Sequence, residues 1–278
     1  MNDSTNSEVT AGDELPFVAP CRNLAPGAPL GWLRRGLADI RAAPLQSAAY
    51  GLFCTAISWI ASYVAYRWGS YWLLLAALTG FVFIAPVLCL GLYAISAQLE
   101  RGQEPAQMVS LREAGVRRLG AEMVFALFLL VVFLVWARAG SMVHVFFPTE
   151  SNPDFADLAA YLGVGSAAGA VFAAITFAAS AFSLPMLMHR NVDAITAVVT
   201  SINAVLRNKL AMLVWVACIV GLLMLGAMTA FVGFIVVIPL LGYATWHGYL
   251  QTIDASAFPR HAEGVAARPR PDNLEFDV

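Results

Sequence analysis

Long stretches without charge set the terms for this chain. Apolar runs occupy roughly residues 46–66, 71–96, 122 to beyond 136, 158–188 and 210–250. A helix needs about 20 such residues to cross the hydrocarbon core of a bilayer. The last run is about 40 residues long, twice one span, and Gly226 near its middle is the expected turn. The chain is therefore expected to cross six times. Composition agrees: 60% of the residues are hydrophobic and 12% charged, whereas soluble domains carry about 25% charge. A soluble fold of this composition would lack the polar surface to cover itself.

Net charge is −2 and uninformative, but its distribution is not. Basic residues cluster before the first run (Arg22, Arg34, Arg35, Arg41), between the second and third (Arg101, Arg112, Arg117, Arg118), between the fourth and fifth (Arg190, Arg207, Lys209) and after the sixth (Arg260, Arg268, Arg270). Arg67 and Arg138 alone fall on the other side. The positive-inside rule then places both termini in the cytoplasm and the protein in the inner (plasma) membrane. Residues 1–30 and 255–278 are polar and proline-rich and read as disordered cytoplasmic tails, which leaves a six-helix membrane domain over 31–254. Nothing resembling a basic segment followed by an apolar leader precedes the first span.

The spans carry a repeat. Gly80-Phe81-Val-Phe-Ile-Ala-Pro86-Val-Leu88 in the second is matched by Gly233-Phe234-Ile-Val-Val-Ile-Pro239-Leu-Leu241 in the sixth, with a weaker echo at Leu184-Pro185 in the fourth. Each odd span follows a cytoplasmic segment with helical periodicity. Leu33, Leu37, Ile40 and Leu45 form one stripe, and Val192, Ile195, Val199, Ile202 and Leu206 another. Ser110 and Glu113 frame a capping box that opens the third. Amphipathic helices edged by arginine lie in the headgroup plane. The expected fold is all-α: six transmembrane helices as three hairpins in parallel repeat, each preceded by a cytoplasmic amphipathic helix, N-in and C-in.

Three stretches resemble the DUF2189 family of predicted integral membrane proteins. They are Trp32-Leu-Arg-Arg-Gly36-Leu-Ala-Asp39 with Ser47-Ala-Ala-Tyr50-Gly51, then Gly80-Phe81 through Ala85-Pro86 and Gly91-Leu92-Tyr93 to Glu100-Arg-Gly102-Gln-Glu104-Pro105, and Pro239-Leu-Leu-Gly242-Tyr-Ala-Thr-Trp246-His247-Gly-Tyr249. The resemblance implies an integral membrane protein and no particular reaction. Some members carry a cytochrome c oxidase label, but a haem–copper centre needs several intramembrane histidines. This chain has four histidines, and His247 alone falls in a signature. No cofactor or metal is expected.

Candidate functional positions are few. Pro86, Pro185 and Pro239 each free a backbone carbonyl that can bend a helix or meet a ligand. Trp246 and His247 near the end of the sixth span fit either an anionic headgroup or substrate site, or an interfacial aromatic belt. Gly165 and Gly169 form a G-x-x-x-G, which usually marks close helix packing. The four cysteines are scattered, and no phosphate loop, zinc-protease, nucleophile-elbow or calcium-loop pattern occurs. The expectation is a non-enzymatic protein that organises or assembles through contact with the lipid bilayer, a membrane-protein partner or a second copy, with no nucleic-acid ligand. The alternative is a small-solute or lipid transporter built on the proline-bearing repeat.

Overall fold

Proline divides the first amphipathic segment from the first long apolar run. Pro44 opens a helix where its missing N–H is not needed, and it drives Ala43 out of helical geometry (φ −129°, ψ 60°). The computed structural model describes residues 16–69, 89–105, 119–146 and 155–260. Within them lie α1 (Ala28–Ala42), α2 (Pro44–Trp68), α3 (Leu90–Glu100), α4 (Leu119–Phe146), α5 (Phe155–Ser180), α6 (Ser183–His189), α7 (Ala194–Arg207), α8 (Lys209–Met228) and α9 (Phe234–Thr252). Apart from two isolated backbone bridges, the described residues are helical or irregular.

Among the described residues, four stretches are long and apolar enough to cross a membrane: Pro44–Val64, Met123–Met142, Ala159–His189 and Lys209–Met228. Only 11% of the window in Met123–Met142 and 22% of that in Lys209–Met228 is buried by the protein. Their outward faces carry Leu127, Leu130, Leu134, Leu213, Met224 and Leu225. Apolar helices so little covered by protein need lipid around them. Of the other two expected spans, most of 71–96 lies outside the described residues, as do Pro86 and the capping box at Ser110. The sixth corresponds to α9, whose second half carries Tyr243, Thr245, Trp246, His247, Tyr249 and Gln251.

That second half is buried in protein instead. α9 is the centre of the fold, packed by α1, α2, α3, α6 and α8. Glycine permits the closest crossings. A Cβ at Gly36 would lie 3.0 Å from Leu240 O and Ala244 N, and one at Gly248 would lie 3.0 Å from the Trp32 ring. Gly51 lets α2 approach the α9 backbone at Ile235. Small residues at such crossings allow dispersion contacts between backbones, the main attraction left once water is absent.

The hairpin between α8 and α9 turns at 229–233, three residues past the expected Gly226. Gly226 lies inside α8 and makes room for the Phe234 ring. Thr229 shapes the turn: its hydroxyl donates to Gly226 O and accepts from the Gly233 amide, both at 2.7 Å. Ala230 and Phe231 adopt left-handed geometry (φ 51° and 66°), at roughly 1–2 kcal/mol each. α2 braces them, Trp59 Nε1 donating to Ala230 O at 2.7 Å and Thr55 Oγ1 to Phe231 O at 3.1 Å.

Residues 16–27 differ from the expected flexible tail. The Arg22 amide donates to Thr252 O, the Asp254 amide to Pro20 O and the Ala19 amide to Thr200 Oγ1. Ala19 and Cys21 are buried, as are Ala255 and Phe258 at the other end. The backbone donors and acceptors of these two segments satisfy each other across α7 and α9, which a composition-based reading does not see. Residues 1–15 and 261–278, the rest of the expected tails, lie outside the described residues.

Candidate functional site

Polar side chains of the fold gather where α1, α3 and α6 meet the last three turns of α9. Asp39 on α1 is the hub. Its Oδ2 accepts from His247 Nε2 at 2.9 Å, and from Ser96 Oγ on α3. Both members of the Asp39–His247 pair are 15% exposed. One turn away, Ser47 Oγ donates to Ala43 O at 2.7 Å, so the Tyr243 hydroxyl donates to Ser47 at 2.9 Å. Three helices are thus tied to α9 through charge-assisted or hydroxyl bonds within a mostly apolar end.

Trp246 does not lie in an interfacial belt. It is 1% exposed, with the His189 ring against its edge (centroids 5.4 Å apart) and its Nε1 3.4 Å from Glu100 Oε2. Tyr249, fully buried, shares a 2.9 Å hydrogen bond with His189 Nδ1. Trp32 Nε1 donates to Gln251 Oε1 at 2.7 Å. Beside these residues opens a cleft of about 380 Å³, lined among others by Arg22, Glu100, Arg101, Arg190, Asp254 and Arg260. Asp254 at its rim sits below the ordinary carboxylate range because the Ser256 hydroxyl and amide and then Arg22 favour its ionised form.

Ser96 and His247 both bond to the carboxylate and not to each other. The set therefore lacks the hydroxyl-to-imidazole contact that activates a nucleophile. Among the described residues, no three His, Cys, Asp or Glu side chains gather as a metal would need.

Two of the repeat prolines can be placed. Pro185 is in the first turn of α6, where no amide hydrogen is required. The break before it is closed by α7: the Phe182 amide donates to Ser201 Oγ at 3.1 Å, and Ser201 Oγ donates to Ala178 O at 2.8 Å. Ser183 Oγ caps Ala179 O. Pro239 is buried inside α9, and the carbonyl it would leave without a donor, Ile235 O, lies against Gly51. At both positions protein, and not an open channel, meets the disturbed backbone. Among the described residues, nothing lies within 4 Å of a Cβ built on Gly163, Gly165 or Gly169, so no described helix packs on this face of α5.

Sequence reasoning singled out Trp246 and His247 but not the groups they meet. Asp39, Ser96, Glu100, His189, Arg190 and Tyr249 were not marked as site residues. A signal existed for Asp39 and Glu100, since both stand in the stretches that carry the family resemblance.

The fold and site define a helical integral membrane protein whose helix ends are fastened by a buried polar cluster. Over residues 73–189 the chain matches the model of the DUF2189 family, described as a predicted integral membrane protein. The second signature falls inside that match, and the first and third, which contain Asp39 and His247, lie outside it. No curated protein and no solved structure shows significant similarity to the chain.

Proposed function

We propose that this chain is a multi-pass protein of the inner (plasma) membrane, with six crossings and both termini cytoplasmic, that works without catalysis. Its role is to organise or assemble through contact with the bilayer and with another membrane protein or a second copy. The observation that carries this reading is α7. Its small and polar face (Ala197, Thr200, Ser201, Ala204) is buried against the protein, while Ile195 and Leu206 on the opposite stripe are 62% and 57% exposed. An apolar stripe turned away from the protein, on a helix edged by Arg207 and Lys209, suits a membrane surface. The glycine face of α5, on which no described residue packs, suits close contact with another helix. The transporter alternative draws on the proline repeat, but at Pro185 and Pro239 the backbone is already met by protein, which favours contact over a pathway.

Extraction of the full chain into polymer nanodiscs from its own membranes, with protein and lipid identified together, tests this reading. The expected result is a stoichiometric membrane-protein companion or a dimer. A monomer without companion, combined with solute flux in proteoliposomes, would replace contact with transport.

A further inference from the structure

Arg190 is the charge that the polar cluster leaves unanswered. It directly follows His189, the last residue of the candidate span Ala159–His189, at the end of the short helix α6. Nη1 donates to Phe258 O at 2.8 Å, and the Tyr249 hydroxyl lies beside the same group. Nε is buried and has no hydrogen-bond partner. Among the described residues no carboxylate pairs with Arg190. Arginine cannot shed its proton to escape this situation, and a buried donor left unmade is costly.

Its surroundings are themselves basic. Arg22, Arg101 and Arg260 line the cleft with Arg190, against two carboxylates, Glu100 and Asp254. Both carboxylates are engaged, Glu100 by Trp246 and Asp254 by Arg22 at 3.5 Å and by the Ser256 amide. Among the described lining residues, four arginines against two acids leave an excess of two positive charges facing a space of about 380 Å³. That volume exceeds what one oxyanion occupies, so a phosphate with part of its ester fits.

We propose that this cleft binds a phosphate group, with the Arg190 guanidinium at its inner wall and the outer arginines holding its charge. Guanidinium is the side chain best suited to phosphate oxygens. The phosphate can belong to an anionic lipid headgroup, consistent with a site at the end of a span, or to a soluble phosphate. The site does not depend on the contact role argued above and would stand if that role failed.

The test uses the full chain, purified in detergent and depleted of lipid, with dioleoylphosphatidylglycerol and inorganic phosphate as separate probes. Binding is read by native mass spectrometry and by the rise in melting temperature. Either probe should bind and stabilise, and Arg190→Lys should weaken that binding about tenfold, the loss of one charge-assisted hydrogen bond. Arg67→Gln, on the far part of α2, should leave it unchanged. Stabilisation by phosphatidylglycerol alone assigns the site to a headgroup, and stabilisation by inorganic phosphate that the lipid does not displace assigns it to a soluble anion. Because Arg190 also holds Phe258, the exposed pair Arg22→Gln and Arg260→Gln serves if Arg190→Lys does not fold, with weakened binding again expected. Binding of neither probe, or binding indifferent to these arginines, overturns the proposal.

Discussion

Helices α1 and α7 are both amphipathic and both flank the polar end, yet they are fastened by different chemistry. α1 sets Trp32, Gly36, Asp39 and Ala43 against its neighbours, joining one large ring, one charge and two small residues. α7 uses Ala197, Thr200, Ser201 and Ala204, with hydroxyls that bond Ala19 and Phe182. On both helices some larger apolar side chains are turned outward, Leu37, Ile195 and Leu206 among them, while Leu33, Ile40, Val198 and Val205 pack against the core. In water those faces would be the buried ones. Where lipid is the solvent, aliphatic side chains gain nothing by leaving it, so close backbone approach and hydrogen bonds decide which face packs inside. The difference also predicts different vulnerability: the polar fastening of α1 rests on one carboxylate, and that of α7 on several small contacts.

The largest effect should come from breaking the α1 lock. Asp39→Ala takes the shared acceptor from His247 Nε2 and Ser96 Oγ, and each largely buried donor left unmade typically costs about 1–3 kcal/mol. Thermal unfolding of the purified chain should show a large drop. Asp39→Leu with His247→Leu should recover much of it, because replacing both partners by apolar groups removes the unmet donors. A single mutant that melts like the unmodified protein would show that α1 is held by Trp32 and Gly36 alone.

A smaller effect separates the two faces of α7. Ala197 is fully buried, so Ala197→Leu should overpack and destabilise by about 1–3 kcal/mol. Ile195→Asp should leave the packed face intact while costing about 1.5–3 kcal/mol of lipid-side burial. A spin label at position 199 reports the difference in vesicles. It should collide more with dissolved oxygen than with a water-soluble nickel chelate, and Ile195→Asp with Ile202→Asp should reverse that preference. A label that favours nickel in the unmodified chain would make α7 a connector in water.

Much of this architecture is legible in the residues. The apolar runs mark α2, α4, α5 and α8, and the 3.6-residue stripe marks α7 with Arg207 at its end. The inward face is less accessible to periodicity, because a stripe of Leu and Ile shows that two faces differ without showing which solvent each prefers. The turn at 229–233 hides for a related reason. Ala230 and Phe231 carry left-handed geometry that sequence reading expects from glycine or asparagine, and the Thr229 hydroxyl and the α2 braces that permit it come from tertiary structure. The Asp39–His247 pair joins residues 208 positions apart. Trp246 and His247 were visible as a cluster, but its partners could be found only once α1 and α3 were packed on α9.

The smallest expected effect separates the two helices by their first turns. α1 begins at Gly27 with no side-chain cap, whereas Asp193 caps α7 by accepting from the Thr196 amide at 2.9 Å. Partial burial pushes the Asp193 carboxyl up, but bonds from Thr196 and from the Asp193 and Ile195 amides outweigh it and hold the group below the ordinary carboxylate range. A carboxylate with a lowered folded pKa stabilises above its unfolded value, about 3.9, and loses that contribution as pH falls through the lower folded value. Asp193→Ala should therefore cost about 1 kcal/mol at neutral pH, the usual worth of such a cap. Asp193→Asn should cost less, since asparagine caps without titrating. The melting difference between the native chain and Asp193→Asn should be greatest at neutral pH and shrink as pH is lowered below about 4. Any other carboxylate that titrates in this range does so in both proteins and cancels. A difference that stays constant across the same range would mean that the Asp193 charge contributes nothing and that α7, like α1, begins without an ionic anchor.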